Sequence, residues 1–420
     1  MAAHKAVSVV FRAPPENRLS VNALCAACEV YPGLENVRMA FAPDDAQFLK
    51  ELSSASGCLR VGAVPIFSCQ AAEASALAAS VRRKFGKEVF LLAGGPHSSG
   101  SPLETLLAGF DAVCVGEGEE TFPEFLSALK SGADFRAVRG LAFISDGEIK
   151  FSGRRPPADL DKFSPISFKR ERFGSVEISR GCPHGCGFCQ VTPLFGNKMR
   201  HRSPEAICAI ARKLAEKGLC DFRVVTPDAL AYGSPDGKKL NLREVESLLK
   251  SLHRIFKPAG KIFFGSFPSE VRPEHVTKKS ISLIAGYADN DNIVIGAQSG
   301  SPRVLELCRR GHTVKDVFRA VKLTREAGLK ASVDFIFCLP GETEEDANLS
   351  CSAMLSLARE GARIHAHTFM PLAGTAFWRK EKARTLDIYR RAVRELNSKG
   401  LVFGDWLRQS RQPGRQEKIS

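Results

Sequence analysis

Three closely spaced cysteines constrain this chain more than any other feature. Cys182, Cys186 and Cys189 stand at CxxxCxxC spacing in EISRGCPHGCGFCQ, residues 177–190, among glycines and beside Phe188. A structural zinc site takes four ligands, commonly in two CxxC-type pairs, and no second pair lies near these cysteines. Iron–sulfur clusters are held by cysteine thiolates, four for a complete [4Fe–4S] site. Three thiolates would therefore leave one iron open to another molecule.

The cysteines come directly after a predicted strand, the first in a series of strand–helix units. The strand-like runs are residues 175–181, 221–229, 261–267, 291–300, 330–341 and 362–372. Helical patterns such as 203–218 and 313–328 separate these runs. Six such units predict a partial (β/α)6 barrel, and the chemistry of a barrel lies at the carboxyl ends of its strands.

The N-terminal part predicts a different α/β arrangement. Its short apolar runs alternate with helical patterns such as 71–85, which indicates a doubly wound (Rossmann-like) parallel sheet. Those runs are residues 6–12, 37–42, 59–67, 88–95 and 111–117. We therefore expect four segments: the sheet domain at 1–140, a hairpin and linker at 141–174, the barrel at 175–375, and a C-terminal helical segment and tail at 376–420.

Composition narrows the class of protein. The chain has 420 residues, of which 44% are hydrophobic and 25% are charged, as expected for a soluble globular protein. No run of about 18 uncharged apolar residues predicts a membrane span. Thirteen cysteines without a secretion signal indicate reduced thiols in the cytoplasm. The net charge of +14 permits an acidic partner, but it equally fits a merely basic surface.

Glycines and small polar residues follow three of the predicted N-terminal strands. They are Ser68, Gly94, Gly95, Gly116 and Glu117. Glycine at a strand end lets a ligand approach the backbone closely, although ordinary tight turns would also explain these residues. No GxGxxG follows the first strand, which disfavours a dinucleotide site.

The cysteine loop resembles that of the radical S-adenosylmethionine (SAM) superfamily, which has this spacing and usually an aromatic residue before the last cysteine. The resemblance implies a [4Fe–4S] cluster on Cys182, Cys186 and Cys189, with SAM on the open iron. An electron from a donor protein or reductant would then cleave SAM to a 5′-deoxyadenosyl radical.

Later segments continue this resemblance and imply SAM contacts. Asp228 stands where family members carry a glycine- and glutamate-containing turn, and Gln298 replaces the glutamate of an ESGS segment. Ser299 remains in that segment, and Leu339 and Pro340 in FCLPGETEED would approach the adenine. Further polar residues are open to contact SAM or the substrate, or to pair among themselves: Ser266, Glu270, Arg272, Arg310, His312, His365 and His367.

The N-terminal domain, with GGPH and VGEGEETFPEFL, resembles the cobalamin-binding radical SAM group. By that resemblance Ser68, Gly94, Gly95, Gly116 and Glu117 line the slot for the cobalamin nucleotide tail. The DxHxxG loop that supplies a histidine to cobalt is absent from FRAPPENRLS (11–20). We therefore expect base-off cobalamin without a histidine ligand, and we expect His97 to pack against or contact the tail.

These resemblances imply a C-methyltransferase acting on an unactivated carbon. The phrases GSFPSEVRPE and HAHTFMPLAGT resemble short methanogen-type members, which implies methylation of a glutamine Cα in the alpha subunit of methyl-coenzyme M reductase. We expect a protein or peptide substrate rather than nucleic acid or a membrane. Three alternatives remain open: a methylase or cyclase of a lipid or tetrapyrrole, a tRNA-modifying enzyme, and a non-catalytic carrier of cobalamin or cluster. No single residue is assigned a catalytic role.

Overall fold

The computed structural model describes residues 6–55 and 57–411. The chain divides between Gly174 and Ser175 into two compact units. Most of the predicted C-terminal tail, RQSRQPGRQEKIS, lies outside the described residues, as do the first five residues.

The described residues of the first unit form seven strands and six α-helices. The strands are β1 (Val7–Arg12), β2 (Arg38–Ala42), β3 (Leu59–Pro65), β4 (Val89–Gly94), β5 (Ala112–Cys114), β6 (Leu141–Ser145) and β7 (Glu148–Phe151). The helices are α1 (Arg18–Glu29), α2 (Asp45–Ser54), α3 (Ala71–Phe85), α4 (Gly95–Gly100), α5 (Pro102–Leu107) and α6 (Thr121–Ser131).

The sheet of the first unit confirms the predicted doubly wound fold. Its strand order is β2-β1-β3-β4-β5-β6-β7, and the first five strands are parallel. The order 2-1-3-4-5 reverses direction between β1 and β3, and ligands of such sheets bind beyond the carboxyl ends of the strands. The strands β6 and β7 add an antiparallel hairpin, whose turn at Asp146 and Gly147 has the positive φ angles (56° and 77°) expected of an Asp-Gly turn.

Both faces of this sheet are buried. Val9 and Phe11 of β1 belong to one hydrophobic cluster, and Val10 between them belongs to the other. Side chains alternate across a strand, so a strand with apolar residues at successive positions must be covered on both sides. The helices supply that cover, which leaves the strand ends as the place for a ligand.

The second unit contains the remaining elements. Its strands are β8 (Val176–Glu177), β9 (Ser179–Arg180), β10 (Arg200–His201), β11 (Asp221–Val225), β12 (Lys261–Phe263), β13 (Asn292–Gln298), β14 (Lys330–Phe337), β15 (Arg363–Thr368) and β16 (Val402–Phe403). Its helices are α7 (Val191–Phe195), α8 (Pro204–Glu216), α9 (Leu242–Phe256), α10 (Lys278–Tyr287), α11 (Pro302–Leu307), α12 (Val314–Glu326), α13 (Glu344–Arg359), α14 (Leu386–Ser398) and α15 (Trp406–Ser410).

Parallel strands form the wall of the predicted partial barrel. One sheet runs β12-β11-β8 and another runs β13-β14-β15-β16. Backbone hydrogen bonds close the gap between them, with Val294 N donating to Gly265 O (2.9 Å) and Val271 N donating to Val294 O (2.8 Å). The six predicted strands are therefore confirmed. The sequence prediction missed β16, because two residues are too few to show a period.

Helices shield the outside of this wall. Helix α9, for example, buries Val245, Leu248, Leu249 and Leu252, and Tyr389 of α14 stacks on Phe337 of β14 with ring centroids 4.1 Å apart. Within the described residues, no helix is both long enough and apolar enough to cross a bilayer.

Candidate functional site

Backbone hydrogen bonds hold the cysteine loop between β9 and α7. Cys182 N donates to Gly196 O (3.2 Å), and Gly187 N donates to Cys308 O (3.0 Å). Phe377 N in turn donates to Gly187 O (2.9 Å). The loop is therefore fixed to the residue that follows α7, and also to segments that follow β13 and β15.

Two glycines are required for this path. A Cβ on Gly181, which has φ of +86°, would lie 2.3 Å from the carbonyl oxygen of Lys198. A Cβ on Gly187 would lie 2.6 Å from the ring of Phe377. Any side chain at either position would push the cysteine loop away from its supports.

The three thiols of the loop lie close enough to affect each other's ionisation. Cys186 is buried, whereas Cys182 and Cys189 are partly exposed. Burial raises the pKa of Cys189 to about 12, and nearby Cys186 and Cys182 contribute to the increase. Burial and Cys186 likewise raise the pKa of Cys182. Cys182 and Cys189 are therefore protonated thiols here, and a bound positive centre would favour their thiolate forms.

Arg310 is a cation fixed beside this loop. The side chain is buried, its Nη2 donates to Gly296 O (2.6 Å), and its Nη1 donates to Cys186 Sγ (3.6 Å). The guanidinium carbon lies 6.0 Å from the centroid of the Phe188 ring. The sequence alone placed Arg310 after a strand, but only the fold brings it to a cysteine.

The predicted SAM contact Asp228 already has protein partners. Its Oδ2 accepts from His275 Nδ1 (2.5 Å) and its Oδ1 accepts from Leu230 N (3.2 Å). Burial is the largest influence on His275 and disfavours its charged form, but the hydrogen bond to Asp228 and the charges of Asp228 and Glu274 together outweigh burial and raise the pKa of His275. Sequence reasoning missed His275, since it is distant in sequence from Asp228.

Glu270 and Arg272 do not form the ion pair that sequence analysis left open. Arg272 Nε donates to Glu274 Oε1 (2.6 Å), and Arg272 Nη2 donates to the carbonyl oxygen of Arg310. Burial raises the pKa of Glu270 to about 7, although Arg310 opposes the increase. Glu270 therefore ionises near neutral pH.

The other predicted SAM contacts lie after β13 and β14. Gln298 is buried, with φ of +72°, at a register shift between β13 and β14. The Ser299 and Ser350 hydroxyl oxygens lie 3.1 Å apart. Leu339 belongs to a buried cluster with Phe369 and Phe377, against which Phe188 packs; Pro340, next to Leu339, is also buried. The fold therefore brings Leu339 and Phe188, distant in sequence, to one apolar cluster.

A cavity of about 610 Å³ occupies the interior of the barrel. Residues from or directly after each of the six barrel strands line it, among them Glu177, Val225, Glu270, Val294, Asp334 and His365. Apolar and charged side chains thus share one wall, as in many pockets for small ligands.

A polar cluster on this wall was only partly visible in the sequence. His365 Nδ1 lies 2.9 Å from Asp334 Oδ1 and 3.3 Å from His367 Nε2. Burial lowers the pKa of His367, and neighbouring His365 lowers it further. The H-x-H pattern indicated that the two histidines share a face, but no sequence signal marked Asp334.

In the first unit, the structure brings most of the predicted cofactor residues to the carboxyl ends of β3, β4 and β5. Ser68 follows β3, and its Oγ lies 3.3 Å from His97 Nδ1 in α4, the helix that begins at Gly95. His97 N also donates to Ile66 O (3.0 Å). Gly94 ends β4 and is partly exposed.

The residues after β5 lie at the same edge. Gly116 N donates to Ser99 Oγ of α4 (3.0 Å), and Glu117 Oε2 accepts from Ala158 N (3.1 Å). A Cβ on Gly116 would meet no atom within 4 Å. The turn at Gly116 therefore faces open space.

Comparison with known proteins identifies part of the chain. Residues 176–350 match the model of the radical SAM superfamily. These residues are a radical SAM domain. Its match begins at β8 and includes the cysteine loop, and the three converging thiols fit the [4Fe–4S] cluster that such domains use together with SAM.

Curated proteins of several kinds are similar in sequence to this chain. An uncharacterized methyltransferase of Pyrococcus horikoshii is 27% identical over 322 residues, which are 73% of this chain and 66% of that protein. A tRNA-2-methylthio-N(6)-dimethylallyladenosine synthase of Chlorobium phaeovibrioides is 29% identical over 252 residues, 57% of this chain and 52% of that protein. The matched regions make up 64%, 66% and 64% of three archaeal relatives, so the chain spans under two thirds of their length.

A solved structure resembles the chain well beyond the radical SAM domain. The radical SAM methyltransferase TsrM from Kitasatospora setae, with cobalamin and a [4Fe–4S] cluster bound, superposes with a TM-score of 0.69 at 16% identity. The match covers 89% of this chain and 77% of that one. The chain therefore has the fold of TsrM over most of its length.

Proposed function

We propose that this protein is a cobalamin-dependent radical SAM enzyme that methylates an unactivated carbon. The observation that carries the proposal is the likeness to TsrM, whose 89% coverage extends over both units of this chain. The radical SAM domain alone would leave the first unit, with its open glycine turns at the strand ends, without a role.

Cys182, Cys186 and Cys189 would hold the cluster in this enzyme. When bound, the cluster supplies an electron for cleavage of SAM, and cobalamin supplies the methyl group. Arg310 positions and screens Cys186 through its contact with the sulfur atom. Its anchor on Gly296 O keeps that cation in place, so no solvent rearrangement is needed when charge moves.

SAM would be bound by residues that follow the barrel strands. Phe188 and Leu339, which share one apolar cluster, would contact the adenosine together with Pro340. Gln298 and Ser299 would contact the polar part of SAM. An amino group at Asp228 would have to compete with the hydrogen bond from His275.

Cobalamin would be bound at the carboxyl ends of β3, β4 and β5. Gly94 and Gly116 would allow close approach of the nucleotide tail, and Ser68 and Glu117 would offer polar contacts. Gly95 would line the slot with its backbone, because its Cβ position is taken up by the backbone of Ile66. We propose base-off cobalamin without a histidine ligand. The His97 side chain is only 3% exposed and faces Ser68, which supports a packing role for it.

The residues around the barrel cavity are suited to protect a reactive species. The cavity wall includes Val191, Phe195, Val225 and Val294, whose apolar side chains limit the space for ordered water. Exclusion of water suppresses side reactions. Hydrogen abstraction from carbon needs no acid or base, so the proposed step assigns none to this chain.

The substrate that we propose is a glutamine in the alpha subunit of methyl-coenzyme M reductase, methylated at Cα. The support is the likeness of GSFPSEVRPE and HAHTFMPLAGT to methanogen-type members. An electron donor in the cytoplasm would serve the cluster.

One experiment tests the reaction and the substrate together. Full-length protein is reconstituted anaerobically with iron, sulfide and cobalamin, then given a reductant, methyl-deuterated SAM and a reductase peptide containing the glutamine. Mass spectrometry follows the peptide and 5′-deoxyadenosine. A deuterated methyl group on the glutamine Cα is the expected product, and the Cys186→Ser variant should give none.

The remaining outcomes separate the alternatives. Deoxyadenosine and S-adenosylhomocysteine without peptide modification would reject the glutamine and retain a radical methylase. A methylthio group on the product would reject methylation in favour of the chemistry named for the Chlorobium relative. Absence of deoxyadenosine from fully reconstituted protein would reject the enzyme in favour of a carrier.

A further inference from the structure

The polar cluster on the cavity wall consists of Asp334, His365 and His367. Asp334 lies on β14 directly opposite His365 on β15, in a parallel pairing. His367 follows His365 by two residues and so points to the same side of the strand. One donor atom from each of the three residues lies within 4.8 Å of the others, and among the described residues this is the one group of that kind.

Two of the three donor-atom separations in this group are close to those of neighbouring metal ligands, and the third is at most 4.8 Å. His365 Nδ1 lies 2.9 Å from Asp334 Oδ1 and 3.3 Å from His367 Nε2. Nitrogen and oxygen ligands bind zinc at about 2.0–2.2 Å, so two of them at adjacent positions lie about 3.0–3.5 Å apart. The side chains therefore need little movement to share one ion.

Hydrogen bonding alone does not satisfy both contacts of His365 Nδ1. That nitrogen carries at most one proton. If the proton faces the Asp334 carboxylate, none is directed at His367. If instead His367 donates, the His365 lone pair faces the carboxylate oxygen at 2.9 Å. A cation attracts all three donor atoms at once.

The surroundings hold the cluster in place and keep it accessible. The Phe403 ring stacks on His365 with centroids 4.5 Å apart. The side chains of Asp334 and His365 retain 13% and 23% exposure, and both line the cavity. Gln409 Nε2 donates a long hydrogen bond to His367 Nδ1 (3.4 Å), so binding of a metal through Nε2 requires this amide contact to give way to a proton on Nδ1.

We propose that Asp334, His365 and His367 bind a divalent transition-metal ion, separate from the cluster on the cysteine loop. Two imidazoles and one carboxylate suit Zn²⁺ or Fe²⁺ and leave coordination positions open. Because the three residues line the cavity, those positions would take an oxygen or nitrogen atom of a molecule bound in the barrel.

The test uses full-length protein in which Cys182, Cys186 and Cys189 are all changed to Ser, so that the cluster site takes no metal. Calorimetry with Zn²⁺ should give one site per chain. Titration with Co²⁺ should give visible bands of nitrogen and oxygen ligation without the intense near-ultraviolet band of cobalt–thiolate bonds. X-ray absorption of the zinc form should show ligands at about 2.0–2.2 Å and none at the zinc–sulfur distance of about 2.3 Å.

Conservative variants locate the site. His365→Gln, His367→Gln and Asp334→Asn should each weaken zinc binding by at least about tenfold, since outer-sphere changes alone cost about 10–100-fold. His253→Gln serves as the matched control, because His253 lies on α9 and its Nδ1 contacts Tyr287 O. Gln409→Glu should strengthen binding, because a carboxylate would accept the Nδ1 proton of His367.

Three results would overturn the proposal. One is absence of zinc binding by the triple-serine protein while its circular dichroism matches wild type. Another is zinc binding that His365→Gln, His367→Gln and Asp334→Asn all leave unchanged. The third is a zinc spectrum with sulfur ligands, which would assign the ion to other cysteines. The x-ray measurement on unmutated Asp334, His365 and His367 stays decisive even if a variant fails to fold.

Discussion

The two units offer ligands very different strand ends. In the first unit, the carboxyl ends of β3, β4 and β5 present glycines, the hydroxyls of Ser68 and Ser99, and the backbone around α4. In the second unit, the corresponding region buries charged groups, among them Asp228, Arg272 and Arg310.

This difference separates two ways of holding a ligand. Glycine turns admit a large molecule by shape and add little electrostatic field. Buried groups lose hydration and stay charged only when they are paired with a partner. Because the pairing fixes their positions, they produce an electrostatic field of fixed direction at the strand ends. The strand ends of the first unit thus offer space and neutral polar groups, and those of the second unit offer fixed charges.

The largest effect should come from breaking the cysteine loop of the second unit. Cys186→Ser should abolish both the iron–sulfur absorbance of reconstituted protein and deoxyadenosine formation. Cys308→Ser is the matched control, because Cys308 is also a buried thiol near the loop but belongs to the apolar cluster with Leu339. Equal loss in both variants would mean that Cys308 is a fourth ligand.

A glycine change should show how closely packed the strand ends of the first unit are. Gly95→Ala places a methyl group 3.0 Å from Ile66 N and forces alanine to φ of +89°. Gly132→Ala imposes a similar φ of +74° in open space. Left-handed backbone costs about 1–2 kcal/mol, so urea unfolding should show about that loss for Gly132→Ala and a larger loss for Gly95→Ala. Equal losses would contradict the close packing.

The buried charges of the second unit predict a pH effect on stability. Burial raises the pKa of Glu270 to about 7 from an ordinary value of 4.5. Because the folded state holds that proton more tightly, stability from this group is present below pH 4.5 and is lost as pH rises through about 7.

Urea unfolding of the cofactor-free wild type and of Glu270→Gln would be measured at several values between pH 5 and pH 8. This range spans about the width of the Glu270 ionisation. The free energy of unfolding should fall more with rising pH in wild type than in Glu270→Gln, since glutamine does not ionise. His275 titrates in both proteins and cancels in the comparison. Parallel pH profiles would show that Glu270 has an ordinary pKa.

The smallest expected effect concerns His97 in the first unit. With cobalamin bound and reduced to the cobalt(II) form, electron paramagnetic resonance should show no nitrogen splitting from a histidine. His97→Ala should leave that spectrum unchanged. Nitrogen splitting that disappears in His97→Ala would show that His97 binds cobalt. The strand ends of the first unit would then also hold their ligand through a side chain, as those of the second unit do.

Much of the fold and of the cysteine loop was predictable, because the signals are local. Alternating apolar runs located the strands within a few residues, and helix α3 has the predicted bounds, Ala71–Phe85. The spacing of Cys182, Cys186 and Cys189, together with the resemblance to the radical SAM superfamily, led to the cluster prediction, and neighbouring residues in a loop remain neighbours in space.

The sequence could not reveal contacts that depend on the register of strand pairing and on which distant strands become neighbours. His275 meets Asp228, and Arg310 meets Cys186, only after strands far apart in sequence are brought side by side. Likewise, H-x-H in β15 indicated two histidines on one face, but a shift of one residue in the β14–β15 pairing would have turned Asp334 away.

The sequence by itself thus determined two α/β units, a three-thiol loop and glycine turns at the strand ends, because these follow from local periodicity and spacing. Tertiary structure alone decided which charges share the barrel interior. It placed Asp334 beside His365, paired Arg272 with Glu274, and gave Glu270 its raised pKa. The physical reason is that burial and pairing of a charge depend on residues distant in the chain, whereas strand period and loop spacing do not.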